Sequence, residues 1–239
     1  MSCPALHPGT GSAAAEEAPI GGSVFAGITH AFSSRYLANV SLFLLLYTIT
    51  STFLYFQQAG ILSHGIREQG ARTAFLATID LCVNTLTLAI QLFLTGRVVA
   101  VLGMALTLAL LPALTIIGFA ALALMPTITA VAVFQVLRRA GDYAITRPMR
   151  EGLFTVLSRE DRFKAKSFID TFVYRTGDQL GAWSVPLLRG LGLSGTEVAL
   201  FAVPLAALWL VDALWLGRRQ EQLAAQRGLT EVAPVPVGG

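Results

Sequence analysis

Charge is what this chain of 239 residues has least of: Asp, Glu, Lys and Arg make up 13% of it, where a soluble domain carries about a quarter. With 54% hydrophobic residues, it cannot coat a water-facing globule with polar groups, so lipid must be part of its surroundings. Lysine is nearly missing, 2 against 15 arginines. That bias fits genome composition as well as phosphate recognition, so arginine richness alone names no ligand. The net charge of +3 is small for nucleic-acid binding, and the basic residues are spread along membrane edges, so no nucleic-acid partner is expected. The two cysteines, Cys3 in a loose tail and Cys82 in an apolar block, are not expected to pair. His7, His30 and His64 all sit outside the apolar blocks, which excludes a Ser–His dyad or a histidine metal site within the membrane. There is no His-Glu-x-x-His, and no Gly-rich phosphate loop followed by Lys-Ser/Thr, which argues against an ATP-driven pump. Gly141-Asp142 and Gly177-Asp178 each match half of the intramembrane aspartyl-protease Gly-x-Gly-Asp, but Arg139 and Arg175 stand at the first glycine. No enzyme activity, cofactor or bound metal is expected.

What the chain does have is apolar residues gathered into blocks near 20 long, the length a helix needs to cross a hydrocarbon core of roughly 30 Å. A buried soluble helix would be shorter, or would keep a polar stripe towards water. Six spans are predicted: Tyr36 to Gln57, Thr73 to Leu94, Ala105 to Met125, Ile128 to Arg147, Ser167 to Leu188, and Glu197 to Leu216. The expected fold is therefore an all-α membrane protein, a six-helix transmembrane bundle over residues 35–219. A short interfacial turn from Gly96-Arg97 to Gly103 is preferred to an overlong third span. Residues 1–34 are rich in Gly, Ala, Ser and Pro and lack a secretory core. They read as a flexible leader or severed linker, with a short surface helix around Val24 to Phe32. Residues 220–239 turn polar, then Pro- and Gly-rich, and read as a disordered tail.

Basic residues set the orientation. Arg35, Arg97, Arg147, Arg150, Arg159, Arg162, Lys164, Lys166, Arg218, Arg219 and Arg227 fall on one side, and Arg67, Arg72 and Arg189 on the other, 11 against 3. Both termini are therefore expected in the cytoplasm, which suits an even number of spans. The location this implies is a cell membrane, with a bacterial inner membrane favoured. Pro148 is expected to end or kink the fourth helix. The connection from Pro148 to Lys166 reads first as a solvated basic anchor, with Ser158 and Asp161 at capping-box spacing.

Charges inside the spans are the informative residues, because an ionised side chain near the bilayer centre costs at least about 2.5–3.5 kcal/mol unless it is paired or wet. The fourth span holds Arg138, Arg139 and Asp142, with Arg138 about 15 Å into the membrane. Helical spacing puts all three on one face, in a stripe with Gln135 and Thr146. The fifth span carries Asp170, Tyr174, Arg175 and Asp178, with Arg175 and Asp178 again near mid-membrane. Either these line a central cavity whose arginines bind an anionic substrate, or they are buried ion pairs locking the two helices together. The candidate substrate-binding residues are Arg138, Arg139, Arg175, Asp142 and Asp178. Asp80 shares a face of the second span with Asn84 and Gln91 and has no basic partner in its own helix. It is either a proton or cation site, or a carboxylate paired with an arginine elsewhere in the bundle. Asp80, Asn84 and Asp170 are the candidate coupling or gating residues. Asp212 is expected to reach the interface, and Gln57 and Gln58 to line an entrance. Gly177 and Gly181 form a small-xxx-small pair suited to close helix approach, and Pro112 and Pro186 suggest kinks.

The most distinctive stretch is Thr146-Arg147-Pro148-Met149-Arg150-Glu151-Gly152-Leu153-Phe154. It continues through Ser158-Arg159-Glu160-Asp161-Arg162-Phe163-Lys164-Ala165-Lys166 into Phe168-Ile169-Asp170-Thr171, Tyr174-Arg175, Gly177-Asp178 and Gly181. This resembles the carboxy-terminal half of the ATP/ADP translocase family, nucleotide exchange transporters related to the major facilitator superfamily. The likeness runs from about Tyr36 to Arg219 and is sharpest over 138–183. It implies two six-helix halves, of which this chain would supply helices seven to twelve, and it makes the leader a severed inter-half linker. It also implies that Asp80 and Arg175 correspond to substrate-handling charges on the eighth and eleventh helices. The first half is missing, so the implied partner is a second six-helix half, either a separate chain or a second copy.

Two functions compete. One is half of a secondary transporter for an organic anion such as a nucleotide, working by exchange or ion coupling. The other is a non-transporting membrane scaffold or regulatory subunit that uses the basic loop (Arg150, Arg159, Arg162, Lys164 and Lys166), or an inactive fragment.

Overall fold

The computed structural model describes residues 35–157 and 159–232. The leader, its surface helix and the cap at Ser158 lie outside the described residues. Among those residues the protein is all helix: α1 (Arg35–Gly65), α2 (Gln69–Phe93), α3 (Thr95–Leu124), α4 (Ile128–Gly141), a π turn (Asp142–Thr146), α5 (Arg147–Leu153), α6 (Arg159–Phe168), a second π turn (Ile169–Val173), α7 (Tyr174–Gly190) and α8 (Gly195–Val232). Helix covers each of the six predicted stretches apart from the end residues Leu94 and Met125. Among the described residues, four helical segments are long and apolar enough to cross a membrane: Arg35–Gly65, Gln69–Phe93, Thr95–Leu124 and Gly195–Gln226. The fourth and fifth stretches, which carry most of the internal charges, follow helical paths that each pass through a π turn.

Helix α3 is overlong for a reason visible at Gly103. There φ is 71° and ψ −177°, a region open essentially to glycine alone. The helix breaks, and the restarted turn is capped by Glu221, whose Oε1 accepts from the backbone N–H groups of Met104 (2.8 Å) and Ala105 (3.2 Å). The interfacial segment expected up to Gly103 is thus a short helix set off by this break.

Glu221 can act there because α8 does not end near Leu216. It runs on to Val232, so residues 220–232 are helical rather than a disordered tail. The segment Gln220-Glu221-Gln222-Leu223-Ala224-Ala225-Gln226 consists of strong helix formers, which outweighs its low hydrophobicity, and it is held at its start by the contact with α3.

α1 runs through the middle of the fold and through both halves of the core. Phe43 and Leu44 pack in one cluster with Trp209, Leu153 and Ile169. Phe53 and Leu54 pack in the other with Phe119, Phe134 and Val198. α3 packs antiparallel along α8, while α2, α4, α1 and α7 stand side by side in that order in front of them. The two flanking helices are barely covered: Ile79 and Val83 are the buried residues of α2, and Gly177, Gly181 and Val185 those of α7.

The small-xxx-small pair explains how α7 docks. A Cβ on Gly177 would lie 1.8 Å from Thr48 Oγ1, and one on Gly181 2.7 Å from Thr52 Cβ. Gly177→Ala is therefore expected to cost about 1–3 kcal/mol through overpacking. Thermal unfolding in detergent checks this, and part of the loss should return when Thr48→Ala is added. An unchanged midpoint for the single variant would contradict this packing.

Candidate functional site

The local chemistry of the site starts at Pro148. It has no N–H, so carbonyls one turn back lose their usual donor, and a buried carbonyl needs a replacement. Both replacements come from the α2–α3 corner. Gln91 Nε2 donates to the Tyr143 carbonyl (3.3 Å), and Thr95 Oγ1 donates to the Ala144 carbonyl (3.0 Å). The helix neither stops nor breaks at Pro148, because the π turn Asp142–Thr146 absorbs the misfit and α5 continues beyond it.

The π turn also changes which residues meet. It brings Arg147 back over Asp142, Nε to Oδ2 3.2 Å, a pairing that α-helical spacing would not give. Asp142 Oδ2 also accepts from the Tyr47 hydroxyl of α1 at 2.8 Å. The Arg147 guanidinium lies 4.2 Å from the Tyr143 ring centroid. So Asp142 is buried between Tyr47 and Arg147, and does not pair with Arg138 or Arg139.

Those two arginines diverge instead of sharing a face, because adjacent helical residues point about 100° apart. Arg138 is buried and reaches back into the bundle. It donates to Thr115 Oγ1 (3.3 Å), the Tyr47 carbonyl (3.3 Å), Thr50 Oγ1 (3.2 Å) and Ser51 Oγ (2.9 Å), and lies 5.3 Å from the Tyr47 ring centroid. Arg139 points outward and pairs with Asp80 of α2 at 2.5 Å, the side chains being 36% and 56% exposed. The partner that Asp80 lacks in its own helix is therefore on α4. Asn84 is exposed beside it.

On the far side of α1, Arg175, Asp178 and Asp170 are exposed and form no salt bridge among the described residues. The structure does not bring them into contact with the α4 charges. The link between the two sides is Tyr174, which receives a hydrogen bond from Arg150 and packs edge-on against Tyr47 with centroids 6.2 Å apart.

The exposed charges nevertheless share a level. Asp80 and Arg139 each lie about three helical turns beyond the starts of their helices at Gln69 and Ile128, and Asp178 a similar distance before Gly190. The ends of α1 and α7 and the starts of α4 and α8 gather around one cavity of about 780 Å³, lined by Gly65, Arg189, Ile128 and Gly195 among others, and α2 begins at Gln69, just after Gly65. At 1.5 Å per residue the three charges stand roughly 17 Å from that end. Gln57 lines the same cavity, donating to the Gly195 carbonyl at 2.6 Å, whereas Gln58 is bonded by Gln135.

Asp212 departs from expectation. It is 5% exposed, not interfacial, and neither carboxyl oxygen has a partner. The cause is the length of α8, which runs from Gly195 to Val232 and so places Asp212 near its middle instead of at its end. Burying an unpaired ionised carboxylate costs far more than burying a neutral amide, so the uncharged isostere Asp212→Asn is expected to raise the unfolding midpoint. A lowered midpoint would reveal a partner for this carboxylate.

Attention to charge alone misses the hydroxyls. Tyr47-Thr48-Ile49-Thr50-Ser51-Thr52 is a polar run inside an apolar span, and this was the available signal for the α1 wall that receives Arg138 and Asp142. No three or more His, Cys, Asp or Glu side chains are grouped to hold a metal among the described residues. The fold and site together define an all-α protein with helices of membrane-spanning length and charged side chains on their exposed faces. No family model, curated protein or solved structure matches the chain.

Proposed function

We propose that this chain is one six-helix half of a secondary transporter that carries a small organic anion across a cell membrane, with both termini on the cytoplasmic side. The observation that carries this reading is the row of charged side chains at one depth on exposed faces of α2, α4 and α7. Lipid does not tolerate charges at that depth, so the face that presents them meets water or another protein.

Three further features support transport over a static role. The front helices carry more arginine than a lock between helices needs. The two π turns adjoin the charged clusters, and such turns are frequent at functional sites. The likeness of residues 138–183 to the ATP/ADP translocase family makes nucleotides the first anions to test, by exchange. Under this reading Arg139 and Arg175 contact the substrate, and Asp142 and Asp178 balance charge. Asp80, Asn84 and Asp170 couple or gate, while Arg138 fixes the α1–α4 wall behind them.

Six helices cannot enclose a facilitator-type path, which forms between two repeats with substrate at the midplane. A second half completes it. The test is uptake of labelled ATP and other organic anions by membrane vesicles from cells that make the chain with its native partners, loaded with the same anion. Accumulation above vesicles from cells that lack the chain supports the proposal, and no difference across the panel refutes it.

A further inference from the structure

Where the apolar part of α8 ends, its arginines meet the start of α1. Arg219 of α8 and Arg35 of α1 converge on one cavity of about 450 Å³, walled by Tyr36, Trp215 and Leu223. Tyr36 is fixed there by its hydroxyl, which donates to the Leu153 carbonyl at 2.7 Å. A second cavity of about 390 Å³ shares Trp215, Arg219 and Gln222 with the first and continues along α8 to Leu214 and Val211. Together they form one groove. It is cationic at the end where hydrophobicity stops, near Leu216, and apolar at the end inside the span, where Val211 is exposed.

The cationic end has no counter-ion in the chain. Among the described residues no carboxylate pairs with Arg35, Arg218 or Arg219. Glu221, close by in sequence, is taken up by the backbone N–H groups of Met104 and Ala105. Arg219 Nη1 donates to Gln222 Oε1 at 3.2 Å, a neutral partner that leaves its charge uncompensated. We propose that this groove binds an anionic phospholipid, its phosphate held by Arg35 and Arg219 and an acyl chain lying along Leu214 and Val211. A guanidinium matches a phosphate through two parallel hydrogen bonds, and basic pockets between membrane helices hold phospholipid headgroups. Trp215 stands between the charged and apolar parts, at the level where indole rings favour the membrane interface. A free phosphate ester would use the arginines but leave the apolar end bare. The site needs only membrane insertion, and does not rest on what the protein transports.

Fluorescence of Trp215 reads the groove in the full chain. Of the three tryptophans, Trp209 is buried in the core and Trp183 is exposed on α7, so Trp183→Phe leaves Trp215 as the exposed one. This variant is reconstituted in phosphatidylcholine vesicles that contain a small fraction of lipid with brominated acyl chains, either phosphatidylglycerol or phosphatidylcholine. The brominated phosphatidylglycerol is expected to quench several-fold more than the brominated phosphatidylcholine. Adding Arg35→Gln and Arg219→Gln should remove that excess. Arg97→Gln with Arg162→Gln, which takes the same charge from residues that do not line the groove, should keep it.

Equal quenching by the two lipids overturns the proposal, and because that comparison keeps both arginines it decides even where the double variant fails to fold. An excess that survives the loss of Arg35 and Arg219 also overturns it. So does an excess lost equally with Arg97 and Arg162, which would reflect general attraction to a basic surface. Glycerophosphoglycerol, the same headgroup without acyl chains, separates lipid from free phosphate ester. The excess is expected to persist in its presence, and its disappearance would hand the arginines to a soluble anion and overturn the lipid site.

Discussion

Arg139→Gln and Arg175→Gln are each expected to cut anion uptake by at least about tenfold while leaving insertion and folding intact. A hydrogen bond to a charged group contributes about 1.5–3 kcal/mol, and each 1.4 kcal/mol is a factor of ten in affinity. Intact insertion is part of the expectation because of where these side chains lie. Arg139 and Asp80 are 36% and 56% exposed, so neutralising the arginine leaves a carboxylate that water can solvate. If that face met lipid, the same change would strand Asp80 at a cost of at least about 2.5 kcal/mol, and folding would suffer first. Uptake measured beside the yield of folded protein separates the two cases. Normal uptake in both variants refutes their assignment to the substrate.

Arg138 should behave in the opposite way, with substitutions read chiefly in stability. Its guanidinium spans α1 and α3 through four acceptors at 2.9 to 3.3 Å, and no carboxylate among the described residues pairs with it directly. Lysine keeps the charge but lacks the fork that reaches Thr115 together with Thr50 and Ser51, so Arg138→Lys leaves a buried charge poorly solvated. Arg138→Met removes the charge and fills much of the space. Thr50 and Thr115 retain their own bonds to the Leu46 and Leu111 carbonyls, both 2.8 Å, and Ser51 its bond to the Tyr47 carbonyl at 2.8 Å. Replacing buried charge with apolar volume is often neutral, whereas leaving a charge without partners costs about 3–5 kcal/mol. Arg138→Lys is therefore expected to unfold well below Arg138→Met in detergent melts. The reverse order would mean that the positive charge itself holds α4 in place.

The elements were more legible in the sequence than the contacts. Apolar blocks gave the helix positions, the glycine spacing gave the α1–α7 approach, and the excess length of the third span pointed to the break at Gly103. Faces counted at three and four residues failed first at Arg138 and Arg139, neighbours that point about 100° apart, and again from Asp142 onward. The π turn Asp142–Thr146 inserts a residue into the helical repeat, so Arg147, not Arg138 or Arg139, reaches the carboxylate. No periodicity argument anticipates that shift, although Pro148 marks where a regular ladder must fail. Asp212 and the tail were misread through one cause: hydrophobicity ends near Leu216, but helix propensity does not.

Transport of this kind requires the charged front face of the bundle to be wet while its back faces lipid. Tyr55 lies on the front of α1, 63% exposed and roughly 15 Å along the helix from Gly65. Leu208 lies on the back of α8, 50% exposed and roughly 20 Å along it from Gly195. Tyr55→Cys and Leu208→Cys, each in a background with Cys3→Ser and Cys82→Ser, are treated in membranes with a water-soluble maleimide. The cysteine at position 55 is expected to react and the one at 208 to stay unlabelled. Equal reactivity at both positions, or labelling at 208 alone, would contradict a wet front and a lipid-facing back.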